Sequence, residues 1–360
     1  MGVQPRFVER IGPPSAGRGD NRGDIRRAIR GVPLMHLVVL AQASPGVEKF
    51  ADALTNGLSL GALYALLALG FVIIFKATQV INFAHGAIAA LGAYFTVYFA
   101  TVLNFPGRLM DGSPEWLQWG LSALTAVALT AFVGLVIERV TLRPMVGEPL
   151  FSVAMVTIGL DIVIRTITND FISTNPRPLG DPWGISVVDI GPVNLAATEV
   201  ATIVTTLVLL VLVALFFRSR WGIAMRATAF DQEASMAQGI SVGRIFAMAW
   251  VIGAALAAFA GIFSSLFPRA STGVAQNATA FFAFRAFPAI IIGGLDSIPG
   301  AVAGGFIVGL AESFAGTYLT GETWSFLGTG FAGVVPYIVM LGFLLVRPYG
   351  LFGTEEIRRV

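Results

Sequence analysis

The organisation of this chain is decided by residues 217–247, FRSRWGIAMRATAFDQEASMAQGISVGRIFA, which interrupt the apolar runs on either side. This stretch carries four arginines, at Arg218, Arg220, Arg226 and Arg244. Arginine is enriched in the loops that a membrane protein keeps in the cytoplasm. Strong helix formers fill the stretch up to Gly239, and glycine is the usual residue just past a helix end. The sequence therefore predicts a short helix in a cytoplasmic loop, where its expected task is to dock a soluble partner.

Most of the chain is too apolar for a soluble protein. Of its 360 residues, 56% are hydrophobic and 12% are charged, and the mean hydropathy is +0.78. A soluble domain carries roughly 25% charged residues, and one membrane-spanning helix needs about 20 apolar residues. The composition therefore predicts an all-α polytopic membrane protein with about eight transmembrane helices in one membrane domain.

Residue content disfavours several other classes of site. The chain has no cysteine, so disulfides and thiolate metal sites are excluded, and we expect no metal and no cofactor. Its basic residues cluster by loop rather than on a soluble face, so nucleic-acid binding is not expected. Residues 57–61 fit the hydrolase pattern G-x-S-x-G. That pattern needs a strand before it, however, and here it opens a membrane helix.

Eight apolar segments divide the chain after residue 50. They lie at 53–75, 80–102, 121–137, 151–168, 200–217, 245–267, 286–317 and 330–346. The seventh is longer than one span needs and is interrupted around Gly293, Asp296 and Pro299, so we expect one broken or re-entrant segment there. The connections 169–199 and 268–284 are expected to be outer loops, since the first is acidic and the second carries little positive charge.

The first 50 residues differ in composition from the rest. They are basic and rich in glycine and proline up to residue 31, which predicts a disordered extension. Two interpretations stay open. The apolar run 32–41 followed by Ala41-Gln42-Ala43 fits a secretory signal. Alternatively, the region is a translated upstream extension and Met35 is the true start. We expect the membrane domain to cover 51–354 and a cytoplasmic tail to cover 355–360.

Five stretches match one family in the same order along the chain. They read NGLSLGALYALLALG at 56–70, INFAHG at 81–86, RWGIAMRATAFDQEASMAQGIS at 220–241, IIIGGLDSIPGAVAGG at 290–305 and RPYGLFG at 347–353. From Leu54 to Gly353 the chain resembles the inner-membrane permease family of branched-chain amino-acid ABC importers, and within that family the H-type subunit.

The resemblance implies a transport subunit of the cell inner membrane rather than an enzyme. It implies two cytoplasmic ATP-binding subunits, a second permease subunit of the M type and an external solute-binding protein as partners, around a chain embedded in the lipid bilayer. No G-x-x-x-x-G-K-[ST] motif occurs in the sequence, so ATP is expected to be hydrolysed by a separate chain.

The cargo implied by the resemblance is a branched-chain or other apolar amino acid. Urea and short amides are the alternative within the class, because similar permeases handle them. An ion-coupled secondary transporter is the alternative from another class, and its signature would be buried ion ligands on broken helices.

The loop at 217–247 resembles the family's coupling motif, in which Glu-Ala-Ala is followed after three residues by glycine. Here it stands as Glu233-Ala234-Ser235 and, after three residues, Gly239. Small residues let a helix sink into a groove on an ATPase, while charged residues fix its register. The expected ATPase-coupling residues are Arg226, Asp231, Glu233, Ala234 and Gly239. The alternative is an ordinary amphipathic surface helix.

Polar residues inside the apolar segments are candidates for the translocation pathway, because such groups are costly in lipid. The candidates are Asn82, His85, Asp161, Arg165 and Glu312. Asp161 and Arg165 are four residues apart on one helix face and are expected to pair. The pair could meet the ammonium and carboxylate of an amino acid, although a self-neutralising structural pair is the favoured interpretation. A packing role is favoured for His85, and both roles stay open for Glu312.

Overall fold

Regular structure in this chain is almost entirely helical. The computed structural model describes residues 45–353 except 110–111, 173–174, 191–192, 271–272, 321 and 329. The extension or signal was predicted over 1–50. Its residues 1–44 and the predicted tail at 355–360 lie outside the described residues, whereas residues 45–50 are helical. Within the described part, the single sheet is a two-stranded antiparallel hairpin of β1 (Val187–Ile190) and β2 (Val193–Ala196).

Twelve α-helices form the described bundle. In chain order they are α1 (Pro45–Thr78), α2 (His85–Val97), α3 (Glu115–Ile137), α4 (Leu150–Ile172), α5 (Ala197–Arg218), α6 (Arg220–Phe230), α7 (Gln232–Ala237), α8 (Val242–Ser264), α9 (Gln276–Phe284), α10 (Phe287–Gly293), α11 (Ile298–Tyr318) and α12 (Val335–Val346). Tighter or wider helical turns continue α2 over Tyr98–Leu103 and α3 over Glu138–Leu142 and Arg143–Met145.

Seven helical stretches of the described residues are long and apolar enough to cross a membrane. They are Gly46–Thr78, His85–Leu103, Glu115–Met145, Leu150–Asp170, Ala197–Arg218, Val242–Ser264 and Ile298–Tyr318. Two shorter apolar stretches, Asn277–Gly293 and Phe331–Val346, accompany them. The prediction of an all-α polytopic membrane protein with one broken segment is confirmed.

Helix α1 is the centre of the bundle. In its most apolar stretch 83% of the residues are buried, and Tyr64 and Phe71 are enclosed completely or almost so. Glycines bring α11 against it: a Cβ on Gly309 would meet the backbone of Gly61, and a Cβ on Gly305 would meet the backbone of Ala65. Helices in membranes associate where small residues allow the backbones to approach. The glycines of α11 therefore allow its backbone to lie directly against that of α1.

The broken segment begins earlier than the sequence predicted. Residues 268–284 were expected to be an outer loop, but Gln276–Phe284 is helical. The reason is packing against α2, where Ala280 is buried and its carbonyl oxygen lies 2.6 Å from the position of a Cβ on Gly86. The chain turns back at Gly294, whose φ is +99°, and α11 starts with the Ser297 hydroxyl accepting a hydrogen bond from the Gly300 amide at 3.1 Å.

The C-terminal motif RPYGLFG closes the end of α10. The amide of Leu351 donates to the carbonyl oxygen of Ile292 at 2.7 Å, and the amide of Phe352 donates to that of Gly293 at 3.2 Å. A helix leaves its last carbonyls without partners inside the helix, so another part of the chain or water must supply them. The motif at 347–353 therefore caps the end of α10, which carries the start of the motif at 290–305.

Basic residues gather at one end of the bundle. Lys76 Nζ donates a hydrogen bond to the Asp296 carbonyl oxygen at 2.7 Å, and Arg226 lines the same groove. Arg143 lines a neighbouring cavity at this end together with Gln232. By the positive-inside rule this is the cytoplasmic end. The connections after α2, α4, α8 and α11 form the opposite, outer end.

Candidate functional site

The loop between α5 and α8 folds as two short helices rather than the single helix expected. Helix α6 ends where Asp231 adopts an extended conformation, with φ −153° and ψ 113°. The Asp231 carboxylate then accepts a hydrogen bond from the Ala234 amide at 2.9 Å, which caps the start of α7. Aspartate is a preferred residue at this position because its side chain supplies a free backbone amide with an acceptor. We call residues 219–241 the coupling segment.

Gly239 ends the coupling segment in the way that the sequence predicted. Its φ is +81°, a left-handed conformation that favours glycine. The Gly239 amide donates to the carbonyl oxygen of Met236 at 2.9 Å, and the Ile240 amide donates to that of Ser235 at 3.0 Å. This pair of bonds is the Schellman arrangement, which fixes the direction in which the chain returns to the membrane.

One side of the coupling segment is buried against the bundle and the other is open. Gly222, Met225, Thr228 and Ser235 are buried. The five residues predicted to couple to an ATPase, Arg226, Asp231, Glu233, Ala234 and Gly239, are all exposed. Ser235, which replaces the second alanine of the family motif, is on the buried side, so this departure does not alter the open surface.

Large apolar side chains also stand on this open surface. Phe230 is 95% exposed, and Ile223 and Met236 are each 55% exposed. Phe230 was not predicted from the sequence, although a phenylalanine in the middle of an arginine-rich loop outside the bilayer is an available signal. Exposed apolar residues grouped in this way are typical of protein–protein contacts.

A groove of about 720 Å³ runs beside the coupling segment. Arg226 and Phe230 form one wall, and the turn at Leu295–Asp296 with Tyr349 forms another. The coupling segment, the turn of the broken segment and the C-terminal motif therefore share one cytoplasmic surface.

Glu312 lies at the centre of a polar cluster within the membrane-spanning part. Tyr64 Oη donates to Glu312 Oε2 at 2.6 Å, and Arg285 Nη1 is 3.1 Å from Glu312 Oε1. Phe282 stacks on the Tyr64 ring with centroids 5.2 Å apart. The carboxylate is thus held by partners on α1 and between α9 and α10. Arg285 was missed by the sequence analysis, although a single arginine within the apolar run FFAFRAFP is a strong signal.

A second cluster lies toward the outer end. Arg269 Nη2 is 2.6 Å from Ser59 Oγ and 3.7 Å from Glu199 Oε1. Burial lowers the pKa of Arg269 below its ordinary value, and the charge of Glu199 opposes that shift. Arg269 was also missed, because the sequence placed it in an outer loop. Ser59 is the serine of the G-x-S-x-G match, and it accepts this bond from a guanidinium.

Asp161 and Arg165 form the ion pair that their spacing predicted. Arg165 Nε is 2.8 Å from Asp161 Oδ2, and the Arg165 guanidinium lies 5.1 Å from the centre of the Phe281 ring. Their helix α4 is poorly covered, since only 17% of its most apolar stretch is buried. A charged pair on such a helix is costly against lipid. The pair itself is largely covered, however, because each side chain is 15% exposed and the Arg165 guanidinium lies against the Phe281 ring.

Asn82 and His85 lie inside the bundle. Asn82 Oδ1 accepts a hydrogen bond from the Ala84 amide at 3.1 Å. His85 Nε2 is 3.1 Å from the Leu67 carbonyl oxygen, and its ring meets Phe71 edge-on at 6.1 Å. These contacts join α1 to the start of α2. A part for either residue in the pathway stays a prediction.

No group of three or more histidine, aspartate or glutamate side chains that could hold a metal ion is found in the part of the chain that the structure describes. The charged residues above are instead arranged as pairs and triads that satisfy one another. Such an arrangement can hold helices together or line a route for a polar solute.

Comparison with known proteins identifies the family. The family model described as the permease component of the branched-chain amino acid transport system matches residues 53–344. The chain belongs to this permease family. It is a multi-pass membrane protein, and the stretches that carried the resemblance lie within the matched range or just beyond it.

Curated relatives of this permease cover nearly its whole length. The branched-chain amino acid transport permease BraD of Pseudomonas aeruginosa is 31% identical over 322 residues, which is 88% of this chain and 100% of BraD. LivH of Escherichia coli is 30% identical over 319 residues, covering 86% and 98%. A solved structure, PsaBC from Streptococcus pneumoniae in complex with Fab, is similar with a TM-score of 0.40 and 14% identity over 81% of this chain and 89% of that one.

Proposed function

We propose that this chain is the permease subunit of an ATP-driven importer that carries branched-chain or other apolar amino acids across the inner membrane. The permease domain is residues 51–354, and the partners are two cytoplasmic ATPases, an M-type permease chain and an external solute-binding protein. Relatives of 30–31% identity over most of the chain are named as high-affinity branched-chain amino acid transport permeases, which supports this cargo.

The observation that carries the proposal is the open surface of the coupling segment. Phe230 and Met236 are exposed at the cytoplasmic end, beside the charged residues Arg226 and Glu233. An apolar centre with charged neighbours is the composition of a specific protein interface. An ATPase seated there would receive Phe230 in a pocket, while Arg226 and Glu233 fix its orientation.

A second face supports pairing with another permease chain. Helix α4 carries the Asp161–Arg165 pair, whose side chains are each 15% exposed, and the Phe281 ring beside Arg165 is 60% exposed. Arg285 follows on the same broken segment with its side chain 47% exposed. Two cations, a carboxylate and phenylalanine rings offer contacts for a zwitterion with an apolar side chain. We place the pathway on this face, with Glu312 holding Arg285 from inside.

Reconstitution tests the function. The chain is purified with its ATPases and M-type partner, placed in proteoliposomes and supplied with the loaded solute-binding protein. We expect leucine uptake that requires ATP. Uptake of urea or acetamide instead of leucine would overturn the cargo. Uptake by the chain alone, driven by an ion gradient, would overturn the ATP-driven class.

The coupling role is tested by a double variant, Glu233→Ala with Gly239→Ala. We expect transport and ATPase co-purification to fall at least tenfold, while membrane insertion stays intact. The matched control is Glu115→Ala with Gly120→Ala, at the outer end, where a Cβ on Gly120 meets no atom within 4 Å. Normal uptake in the first double variant would refute the coupling role.

A further inference from the structure

A cavity of about 290 Å³ lies at the cytoplasmic end, apart from the proposed pathway face. It is enclosed by the end of α1, the wide turn after α3, the start of α4 and the first turns of α8, and Gln232 of the coupling segment reaches its wall. Small-molecule pockets measure roughly 300–1,000 Å³, so this space suits a small ligand.

Glu138 is the unusual residue of this cavity. It is 1% exposed, yet neither of its carboxylate oxygens has a hydrogen-bond partner among the described residues. Within the described structure its one ion-pair neighbour is Arg143, with Nε 3.9 Å from Glu138 Oε1, which is too far for a hydrogen bond. Buried carboxylates normally accept hydrogen bonds, because an unsatisfied buried charge is costly.

The other residues that line the cavity supply an indole N–H, a positive charge and an apolar surface. Trp250 is fully buried and its indole N–H has no acceptor within the described structure. The Arg143 guanidinium rests against the backbone at Gly243 and its side chain is 34% exposed, so it faces the cytoplasm. Val153 and Phe246 add an apolar surface. The cavity therefore combines an anion, a cation and apolar walls.

We propose that this cavity binds a free α-amino acid with an aliphatic side chain, taken from the cytoplasm. The Glu138 carboxylate, whose oxygens are covered in the structure, turns toward the cavity and accepts a hydrogen bond from the ammonium group. The amino-acid carboxylate pairs with Arg143, and the side chain packs on Val153 and Phe246. The identity of the ligand rests on the proposed function. Because Gln232 begins α7, an occupant contacts the coupling segment, and accumulated product slows its own import.

Binding is measured on the complete purified transporter in nanodiscs, without the solute-binding protein, using radiolabelled L-leucine. We expect Glu138→Gln to weaken binding at least tenfold, and Val153→Phe, which fills the apolar wall and keeps both charges, to do the same. Glu148→Gln removes an exposed carboxylate from the same rim and should leave binding unchanged. Equal affinity of the Glu138→Gln and Glu148→Gln variants would overturn the site.

Two leucine analogues test the contacts. 4-Methyl-2-oxopentanoate lacks the ammonium group and 3-methylbutylamine lacks the carboxylate, so each should bind at least tenfold more weakly than leucine. If the amine bound as tightly as leucine, the cavity would be a site for cations and the proposal would be wrong.

Feedback is measured as the initial rate of import into proteoliposomes preloaded with leucine on the coupling-segment side. Preloading should slow the wild type severalfold and leave Glu138→Gln unaffected, while both import equally into empty vesicles. Absence of import into empty vesicles by the wild type would count against the proposed function. Normal import with equal slowing in both proteins would count against the feedback site alone.

Discussion

At the scale of single residues, the carboxylate of Glu312 is satisfied by protein groups from two other parts of the bundle. Tyr64 and Arg285 approach its two oxygens separately. A hydrogen bond to a charged group contributes about 1.5–3 kcal/mol, and more is lost if the partner left behind is buried. Each member of this triad therefore has a measurable effect on stability.

Replacing Tyr64 with phenylalanine removes the hydroxyl and keeps the ring that stacks on Phe282. We expect the free energy of unfolding to fall by about 1.5–3 kcal/mol, measured by thermal or denaturant unfolding in detergent. Tyr318→Phe is the matched control, because Tyr318 is 45% exposed and stacks on Phe314. Equal stability of the two variants would mean that the hydroxyl contributes nothing to holding Glu312.

The variant Phe230→Ala is expected to weaken ATPase binding while leaving folding unchanged. Phe230 is 95% exposed, so its removal should change the free energy of unfolding by less than about 0.5 kcal/mol. Truncating a central interface residue costs about 2 kcal/mol or more, which corresponds to roughly 30-fold weaker ATPase binding. Phe326→Ala is the control, because Phe326 is 75% exposed at the outer end. ATPase affinity is measured for both variants. Equal affinities would contradict the docking surface.

At the scale of elements, glycine decides how closely α1 and α11 pack. A Cβ on Gly309 would collide with the Gly61 backbone, which has no side chain that could move away. By contrast, a Cβ on Gly316, two turns further along the same helix, meets only the Ala332 Cβ, at 3.6 Å.

The variant Gly309→Ala is therefore expected to destabilise the bundle by about 1–3 kcal/mol, as overpacking does elsewhere, or to abolish its folding. The melting temperature and monodispersity of the purified protein report the effect. Gly316→Ala on the same helix should behave like the wild type. Similar melting temperatures for both variants would show that α1 and α11 can separate without loss.

The membrane spans could be predicted from the sequence, whereas the helix at 276–284 could not. Long apolar runs predicted the spans, because lipid allows few alternatives to a helix. The helical state of 276–284 was missed, because this stretch was assigned to an outer loop. What makes it helical is tertiary: Ala280 is buried where this helix packs against Gly86 of α2.

At the scale of the whole molecule, the natural absence of cysteine makes the orientation directly measurable. Single cysteines at Glu233 and Ile185 give the protein one thiol each, and both positions are exposed. A membrane-impermeant thiol reagent should label Glu233→Cys only in inside-out vesicles and Ile185→Cys only in right-side-out vesicles. Labelling of Glu233→Cys from outside would invert the assignment on which ATPase docking depends.

The exposure of side chains at the partner-facing surfaces could not be predicted from the sequence alone. The charges of Asp161 and Arg165 were visible, but the folded bundle decides that their side chains are each only 15% exposed on a helix that is otherwise poorly covered. Exposure of Phe230 likewise follows from the break at Asp231 and from the course of α8. Both are properties of the assembled bundle rather than of any local pattern.

The cap that Leu351 and Phe352 place on α10 has a consequence for synthesis. These two residues leave the ribosome after all twelve described helices. The nascent chain therefore inserts before the C-terminal end of α10 has been capped. Until they have been translated, water must donate the hydrogen bonds to the carbonyl oxygens of Ile292 and Gly293. The final step of biogenesis therefore completes the turn that lies beside the coupling segment.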